Sequence, residues 1–302
     1  MFALADANNF YASCETVFRP DLRGKPIVVV SNNDGCVIAR SAEAKRLGIK
    51  MAAPLFLNER FFRQNGVHVF SSNYELYGDL SARMMAILGE MAAGQEVYSI
   101  DESFLDVTGI SNVIPLETFG QQMRERVRRE TGLIIGVGFG PTKTLAKLAN
   151  NAAKKWTQTK GVVDLSSRTR QRKLLHLTDV SDIWGIGPRI TKRMYQLGIN
   201  TALQLADSNI SMIRKNFDVI VERTTRELNG ESCIALEDAP PPKQNILNSR
   251  SFGERITELE DMKQAVTLYA TRAAEKLREQ NSRCRHIGVS ISTARHADDP
   301  QY

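Results

Sequence analysis

The chain reads YSIDESF at residues 98–104, and this short sequence decides the fold. Two adjacent acids, Asp101 and Glu102, separate apolar segments that predict strands over residues 96–100 and 103–107. A third acid, Asp6, ends the first apolar segment of the chain. Two divalent cations held about 4 Å apart by such acids are a common means of transferring phosphoryl groups. The first question is therefore whether the three acids meet in space.

The order of the predicted elements brings the three acids together. With residues 7–72 set aside as an insertion, the pattern reads strand (2–6), helix (73–92), strand (96–100), strand (103–107), helix (115–131) and strand (134–139). This is the βαββαβ order of a ferredoxin-like sheet, in which the end of the first strand lies beside the start of the third. The topology therefore predicts that Asp6, Asp101 and Glu102 share one edge of one sheet. Carboxylates placed so close together repel unless a cation neutralises them, and Mg²⁺ suits such oxygen ligands.

The rest of the chain predicts three further regions. Within the insertion, strands near 27–31 and 36–40 flank an Asn-Asp-Gly turn at residues 33–35. Residues 166–230 have an all-helical pattern. A proline-rich linker ends near residue 242, and after it we expect a β-α-β unit with a strand near 246–255, a helix near 259–280 and a strand near 285–294.

Composition favours a globular intracellular protein. The 302 residues are 42% hydrophobic and 25% charged, which is ordinary for a globular chain. No apolar stretch approaches the roughly 18 residues that span a bilayer, and Asp6 interrupts an N-terminal segment that lacks the basic start of a signal peptide. The four cysteines are widely and irregularly spaced, which fits a reducing compartment. We therefore expect no membrane partner and a cytoplasmic location.

The sequence NNFYAS at residues 8–13 directly follows Asp6. Free backbone amides at a turn from a strand into a helix can receive a triphosphate. Phe10 and Tyr11 would then lie near a bound nucleotide, with Tyr11 near its sugar. The alternative at this stage is an aromatic residue that only packs under the start of a helix.

Basic residues elsewhere could hold the same phosphates. Arg40 and Lys45 lie in RSAEAKR at residues 40–46, where a solvated helix face is an equally good interpretation. The sequence GPTKTLAK at residues 140–147 lacks the Walker A pattern, so we interpret it as an ordinary helix start. The helix that follows carries Lys147, Lys154 and Lys155, which could turn a basic residue toward the acids.

A glycine-rich hairpin predicts contact with DNA. Residues 183–189 read IWGIGPR, and the basic residues Lys192 and Arg193 follow. This pattern is typical of a helix-hairpin-helix, in which Gly185 and Gly187 would let backbone amides approach a DNA phosphate. Residues 168–230 also carry 11 Lys and Arg against 6 Asp and Glu, and the whole chain has a net charge of +6. A purely structural hairpin is the alternative.

Taken together, these motifs resemble those of the Y-family DNA polymerases, the translesion class, and especially their UmuC-type catalytic subunits. The resemblance extends over the whole chain. It implies an α+β right-hand polymerase with a ferredoxin-like palm, small fingers, an all-helical thumb and a partial little finger. The implied boundaries are palm 1–24 and 71–166, fingers 25–70, thumb 167–230, linker 231–242 and little finger 243–302.

The same resemblance implies a role for each candidate residue. Asp6, Asp101 and Glu102, with the backbone of Ala7, would bind two Mg²⁺ ions. Tyr11 would be the steric gate that excludes a ribose 2′-OH, and Lys45 and Lys154 would hold the incoming triphosphate. The implied activity is low-fidelity, template-directed nucleotidyl transfer in translesion synthesis and SOS mutagenesis.

The resemblance also implies partners, and two other functions stay open at this stage. The implied partners are primer-template DNA, a dNTP, a UmuD′-type accessory dimer, a RecA filament and a sliding clamp. A nucleotide cyclase can share the sheet and the carboxylates, although it needs no grip on duplex DNA. A DNA-binding scaffold without activity is the other alternative.

Overall fold

The computed structural model describes residues 1–237 and 242–293. The chain divides into two units, residues 1–239 and 240–302. The described strands all belong to the first unit: β1 (Phe2–Ala7), β2 (Ile27–Val30), β3 (Val37–Arg40), β4 (His68–Ser71), β5 (Gly94–Val97), β6 (Glu102–Asp106), β7 (Ile135–Gly140) and β8 (Val162–Asp164).

The described helices are distributed over both units. Eleven lie in the first: α1 (Phe10–Phe18), α2 (Ala42–Arg46), α3 (Leu55–Gln64), α4 (Tyr74–Gly89), α5 (Leu116–Thr131), α6 (Lys143–Lys155), α7 (Arg168–Leu177), α8 (Pro188–Gln196), α9 (Ala202–Ala206), α10 (Ile210–Asn216) and α11 (Val219–Leu228). The second unit contains α12 (Leu259–Glu279). In the described parts of the chain, no helix is long and apolar enough to cross a membrane.

Five strands form the central sheet in the order β5-β6-β1-β7-β8. Strand β1 lies antiparallel between β6 and β7, and β8 adds to β7 in parallel. This is the ferredoxin-like order that the sequence predicts, extended by one strand. The register pairs Phe2 with Asp106, Leu4 with Phe104 and Asp6 with Glu102.

Alternation along β1 divides the core between the two faces of this sheet. Ala3 and Ala5 face α4 and α5, where Met84, Met123 and other apolar residues form the largest buried cluster. Leu4 lies on the opposite face, packed with Phe104 and with Ala146 of α6. Because successive side chains of a strand point to opposite faces, Asp6 shares the α6 face with Leu4.

The close seat of α6 depends on alternating glycines in β7, which reads IGVGFG. A Cβ atom at Gly138 would overlap the backbone nitrogen of Asn150 and lie 2.5 Å from the carbonyl oxygen of Ala146. One at Gly140 would lie 2.7 Å from the backbone nitrogen of Ala146. Real Cβ atoms do not approach this closely, so these positions exclude any side chain and let the helix rest on the sheet.

A second, three-stranded sheet has the order β3-β2-β4 and lies in the inserted segment. Strand β2 pairs antiparallel with β3 and parallel with β4. Val28, Val30 and Val37 pack against Phe62 of α3 and Ala44 of α2. The insertion therefore has a small core of its own.

Helices α7 to α11 pack on the outer side of α6. Leu145, Leu148 and Ala152 of α6 share a buried cluster with Leu175 and Met194. The buried carboxylate of Glu227 accepts a hydrogen bond from the backbone N–H of Thr144 at 3.0 Å, which fixes α11 to the start of α6. Helix α6 is thus held between the sheet and the helical region.

The second unit differs from the β-α-β prediction. Within residues 242–293, α12 is formed, but the strands predicted over 246–255 and 285–294 are not; residue 294 lies outside the described residues. Leu247 and Ile287 are 78% and 83% exposed, and α12 has no buried residue. An apolar alternation produces a strand only where its face is covered and its edges are paired, and two strands alone make a marginal sheet.

Candidate active site

The strand register places the three acids at one end of the central sheet. Asp6 lies directly opposite Glu102 on the neighbouring strand. The backbone N–H of Ala7 donates a hydrogen bond to the carbonyl oxygen of Asp101 at 2.9 Å, which holds the turn against the end of β1. Glu102 already belongs to β6, whereas Asp101 lies in the turn. The structure therefore brings together Asp6, Ala7, Asp101 and Glu102.

Each carboxylate has a partner in this arrangement. Lys154 forms an ion pair with Asp6, and Lys147 donates to Glu102 at 2.8 Å. The hydroxyl of Ser99 donates to Asp101 at 2.7 Å. As these side chains stand, no three His, Cys, Asp or Glu in the described ranges are grouped to hold a metal ion.

The donor set nevertheless fits a hard divalent cation. Burial raises the pKa of Asp6 to about 6 against the opposing effect of Lys154, and the charges of Glu102 and Asp101 raise it further. Ionising Asp6 beside Asp101 and Glu102 therefore costs free energy, which a bound cation would recover. Carboxylate and carbonyl oxygens are the ligands that Mg²⁺ prefers.

One face of α6 supplies the cations that meet the acids. Lys143 pairs with Glu96, Lys147 with Glu102 and Lys154 with Asp6. Between them, the amide of Asn150 donates to the carbonyl oxygens of Leu4 and Gly136 at 3.1 and 2.8 Å. Sequence reasoning named Lys147 with Lys154 and Lys155 as lysines that could face the acids, but it gave a specific role to Lys154 alone. The signal was its separation of seven residues from Lys154, which places both lysines on the same helix face.

The first helix presents one aromatic residue and buries the other. Tyr11 stacks on Tyr77 with ring centroids 4.4 Å apart and meets the edge of Tyr74 at 6.0 Å. Burial, followed by the charges of Tyr74 and Asp101, raises the pKa of Tyr11. Phe10 is only 4% exposed and lies in the core, so its backbone alone can touch a ligand.

Basic side chains of the insertion approach the start of α1. Lys45 donates to the side-chain oxygen of Asn9 at 2.6 Å. Burial lowers the pKa of Lys45, and the positive charges of Arg40 and Lys154 lower it further. Arg40 donates to the carbonyl oxygen of Ile49 at 2.6 Å, while its buried Nε has no hydrogen-bond partner among the described residues. Lys45 therefore lies within electrostatic reach of both Arg40 and Lys154, and Lys154 contacts Asp6, an arrangement suited to a polyanion.

The glycine hairpin lies between a short 3₁₀ turn, Val180–Asp182, and α8. The element before the hairpin is therefore one tight turn, where the motif predicts a full helix. Gly185 has φ +85°, a backbone conformation that favours glycine. Lys192 is exposed, and the guanidinium of Arg193 lies 5.4 Å from the centroid of the Phe217 ring.

A pocket of about 160 Å³ opens between the hairpin, α6 and the end of the sheet that carries Asp6, Asp101 and Glu102, which we call the acid edge. Asp6, Glu102, Lys147, Asp182 and Trp184 are among its lining residues. Two of the predicted metal ligands, Asp6 and Glu102, therefore line one pocket together with Lys147 and with Trp184, the residue just before Gly185.

Comparison with known proteins identifies relatives along the whole chain. The model of the impB/mucB/samB family matches residues 5–151, and the model of its C-terminal domain matches residues 243–301. Protein UmuC of Salmonella typhimurium (strain LT2) is 57% identical over 304 residues, covering 100% of this chain and 72% of that protein. DNA polymerase IV of Moorella thermoacetica is 31% identical over 260 residues, covering 84% and 62%.

Two solved structures share the fold. The crystal structure of DinB from Sulfolobus solfataricus matches with a TM-score of 0.66 at 26% identity, covering 79% of this chain and 70% of that chain. A Y-family DNA polymerase chimera matches with a TM-score of 0.75 at 22% identity, covering 91% and 80%. At 22% identity, the match to the chimera shows only that the two chains share a fold.

Proposed function

Because the chain belongs to the impB/mucB/samB family and is a Y-family, DNA-directed DNA polymerase, we propose that Asp6, Asp101 and Glu102 form its catalytic centre. The reaction would be low-fidelity nucleotidyl transfer from a dNTP to a primer 3′-OH, in translesion synthesis and SOS mutagenesis. The observation that carries the proposal is the meeting of three acids at one sheet edge, where Lys147 and Lys154 pair with two of them.

The acids and the carbonyl oxygen of Ala7 are the groups that would hold divalent cations, which we take to be two Mg²⁺. Bound there, the cations would lower the pKa of the primer hydroxyl and stabilise charge on the departing pyrophosphate. The chain's own contribution is to fix these oxygens by the β1–β6 register and by the hydrogen bond between Ala7 and Asp101.

The incoming triphosphate would occupy the positive region formed by Arg40, Lys45 and Lys154. Free amides at the start of α1 would add to the attraction, since Asn9 makes no side-chain cap there. Binding would satisfy the unpartnered Nε of Arg40 and would relieve the mutual repulsion of the three cations. Lys154 would exchange Asp6 for a phosphate as a cation takes the carboxylate.

Tyr11 would select the sugar. Its ring is braced by Tyr77 on one face and by the edge of Tyr74. A braced ring cannot retreat from a 2′-OH, so a ribonucleotide would meet a steric clash that a deoxyribonucleotide avoids.

Primer-template DNA would lie against the hairpin, with Gly185 and Gly187 presenting backbone amides to phosphates and with Lys192 and Arg193 adding charge. The palm would comprise 1–24 and 71–166, the fingers 25–70, the thumb 167–230, the linker 231–242 and the little finger 243–302. The separate core of the insertion supports the fingers, and the cluster outside α6 supports the thumb. A UmuD′-type accessory dimer, a RecA filament and a sliding clamp would be its protein partners.

Primer extension on an undamaged and an abasic template, with dNTPs and Mg²⁺, tests this function. The protein should extend both primers, and Asp101→Ala should abolish extension while DNA affinity stays nearly intact. The control is Asp106→Asn, which removes a carboxylate at the far end of β6, the strand that follows the Asp101 turn. Extension by Asp101→Ala contradicts the assignment. A cyclic nucleotide formed without primer would support a cyclase, and DNA binding without extension would support a scaffold.

A further inference from the structure

The ammonium of Lys147 is enclosed by a carboxylate and two aromatic rings. Its Nζ lies 2.8 Å from the Glu102 carboxylate, 4.7 Å from the centroid of the Tyr98 ring and 5.3 Å from that of Trp184. The two rings meet edge to face at 5.7 Å. The side chains of Lys147 and Glu102 are only 17% and 21% exposed, so water screens this pair weakly. We call Tyr98 and Trp184 the aromatic cage.

One wall of the cage belongs to the glycine hairpin. Trp184 directly precedes Gly185, the residue whose backbone we assign to DNA phosphate binding. Trp184 also borders the pocket that Asp6 and Glu102 line. A single side chain, Lys147, therefore touches both a carboxylate of the catalytic edge and the residue next to the DNA contact.

We propose that Lys147 is a positioning residue that couples cation binding at Glu102 to the hairpin. The inference rests on the proposed function, because it takes Glu102 as a ligand of a divalent cation. In the cation-free protein Lys147 holds Glu102 in place. A divalent cation competes for the same oxygen and repels the ammonium, which then depends on the aromatic cage alone.

The coupling follows from this exchange of partners. Once Glu102 is released, the ammonium settles more closely on Trp184 and stabilises the hairpin in one position. Thermodynamic linkage then requires reciprocity: cation binding strengthens DNA binding, and DNA strengthens cation binding by the same factor.

Trp184 itself can report the exchange, because the chain has two tryptophans, Trp156 and Trp184. Full-length Trp156→Phe leaves Trp184 as the only tryptophan, which can be excited selectively at wavelengths that tyrosine does not absorb. Titration with Mg²⁺ in the absence of DNA should change its emission saturably. Adding Lys147→Met should abolish the change, Lys147→Arg should retain it, and Lys155→Met, which removes an exposed lysine of the same helix, should leave it intact. An unchanged emission, or a change that persists in Lys147→Met, overturns the proposal.

Binding of Mn²⁺, followed by electron paramagnetic resonance, provides a second readout. Lys147→Met removes the competitor, so Mn²⁺ affinity should rise on the order of tenfold, while kcat of primer extension falls and KM for dNTP is unchanged. Damage to the fold alone would weaken Mn²⁺ binding instead. Unaltered Mn²⁺ affinity in this variant overturns the inference but leaves the proposed function intact, whereas no saturable Mn²⁺ binding by the unchanged protein overturns both.

Trp184→Leu tests the coupling with the ammonium in place. In the unchanged protein, primer-template DNA should tighten Mn²⁺ binding severalfold. In Trp184→Leu the same DNA should leave Mn²⁺ affinity within about twofold, because one wall of the cage is missing. A full DNA effect in Trp184→Leu contradicts the coupling even if Lys147→Met does not fold.

Discussion

Asp6 and Glu102 face each other across two antiparallel strands, and each is paired with a lysine of the same helix. Lys147 and Lys154 stand two turns apart on α6, about 10 Å along the axis, and their long side chains converge on the two acids. The acids are brought together by the sheet register, whereas the lysines arrive because α6 rests on the glycines of β7. The β1–β6 register and the packing of α6 on β7 therefore together determine the net charge around Asp6 and Glu102.

The close contact between α6 and the sheet makes stability and activity sensitive to substitution of Gly138, whose backbone lies against α6. Gly138→Ala should lower the free energy of unfolding by about 3 kcal/mol or more, because the new Cβ would overlap backbone atoms of α6 that cannot yield cheaply. Urea unfolding followed by circular dichroism measures the change. Primer extension should fall further than stability alone explains, since Lys147 and Lys154 are displaced from the acids.

Gly78→Ala is the matched control. Gly78 lies in α4, and an added Cβ would meet no described heavy atom within 4 Å apart from its chain neighbours and the backbone of its own helix, so alanine should stabilise the helix by about 0.5–1 kcal/mol. Equal effects of the two substitutions would contradict the argument from close packing.

Selection of deoxyribose over ribose should depend on the ring of Tyr11 and hardly on the hydroxyl of Tyr77, which stacks against that ring. Tyr11→Ala should raise the efficiency of ribonucleotide incorporation relative to deoxyribonucleotide about tenfold or more, since the clash with a 2′-OH is gone. Tyr77→Phe keeps the stacked ring and loses only the hydrogen bond to Glu15 at 2.7 Å. Single-nucleotide kcat/KM ratios for rNTP and dNTP measure both. Unchanged selectivity in Tyr11→Ala would remove it from this role.

Strand order was sufficient to predict the central sheet and the meeting of Asp6 with Asp101 and Glu102, because register follows from topology and alternation. The lysine partners of the acids could not be predicted in the same way. The pairing of Lys147 with Glu102 spans 45 residues and depends on how α6 lies on the sheet. The contact between Arg193 and Phe217 likewise depends on how separate helices pack, so the sequence did not predict it.

Local pattern also does not determine burial. Phe10 stands beside Tyr11 in one motif, yet the start of α1 turns Phe10 into the core and leaves Tyr11 partly exposed. In the second unit the apolar alternation over residues 285–293 resembles a strand, but Val289 and Ile291 stay 63% and 57% exposed. The sequence pattern identifies which side chains could be buried. Whether they are buried depends on another part of the fold that packs against them.

DNA binding should carry the electrostatic signature of Lys192. Lys192→Ala should weaken binding to all sequences alike and reduce the slope of log Kd against log salt concentration by about one, as the loss of one phosphate contact requires. Fluorescence anisotropy over a range of salt concentrations measures the slope. Arg83→Ala, an exposed change in α4 where Arg83 pairs with Asp79, should leave the slope unaltered. A sequence-dependent loss in Lys192→Ala would point to base contact instead.

The raised pKa of Asp6 predicts how stability depends on pH in the cation-free protein. The folded value of about 6 exceeds the ordinary 3.8 because of burial, so the folded state binds the extra proton between these values. Asp6 therefore destabilises the fold progressively as pH rises from about 4 to 6, by about 2–3 kcal/mol in all. Asp6→Asn removes this dependence, and its advantage over the unchanged protein should grow across that interval and level off above it.

Asp106 provides a control of opposite sign, since hydrogen bonds from Thr108 lower its pKa. It stabilises the fold above its ordinary pKa and loses that contribution as pH falls, so Asp106→Asn should be most costly near neutral pH. Urea unfolding at half-unit pH steps distinguishes the two. An Asp6→Asn advantage that is the same at pH 4 and pH 7 would mean that Lys154 compensates the buried charge fully, and relief of that charge would then contribute nothing to cation binding.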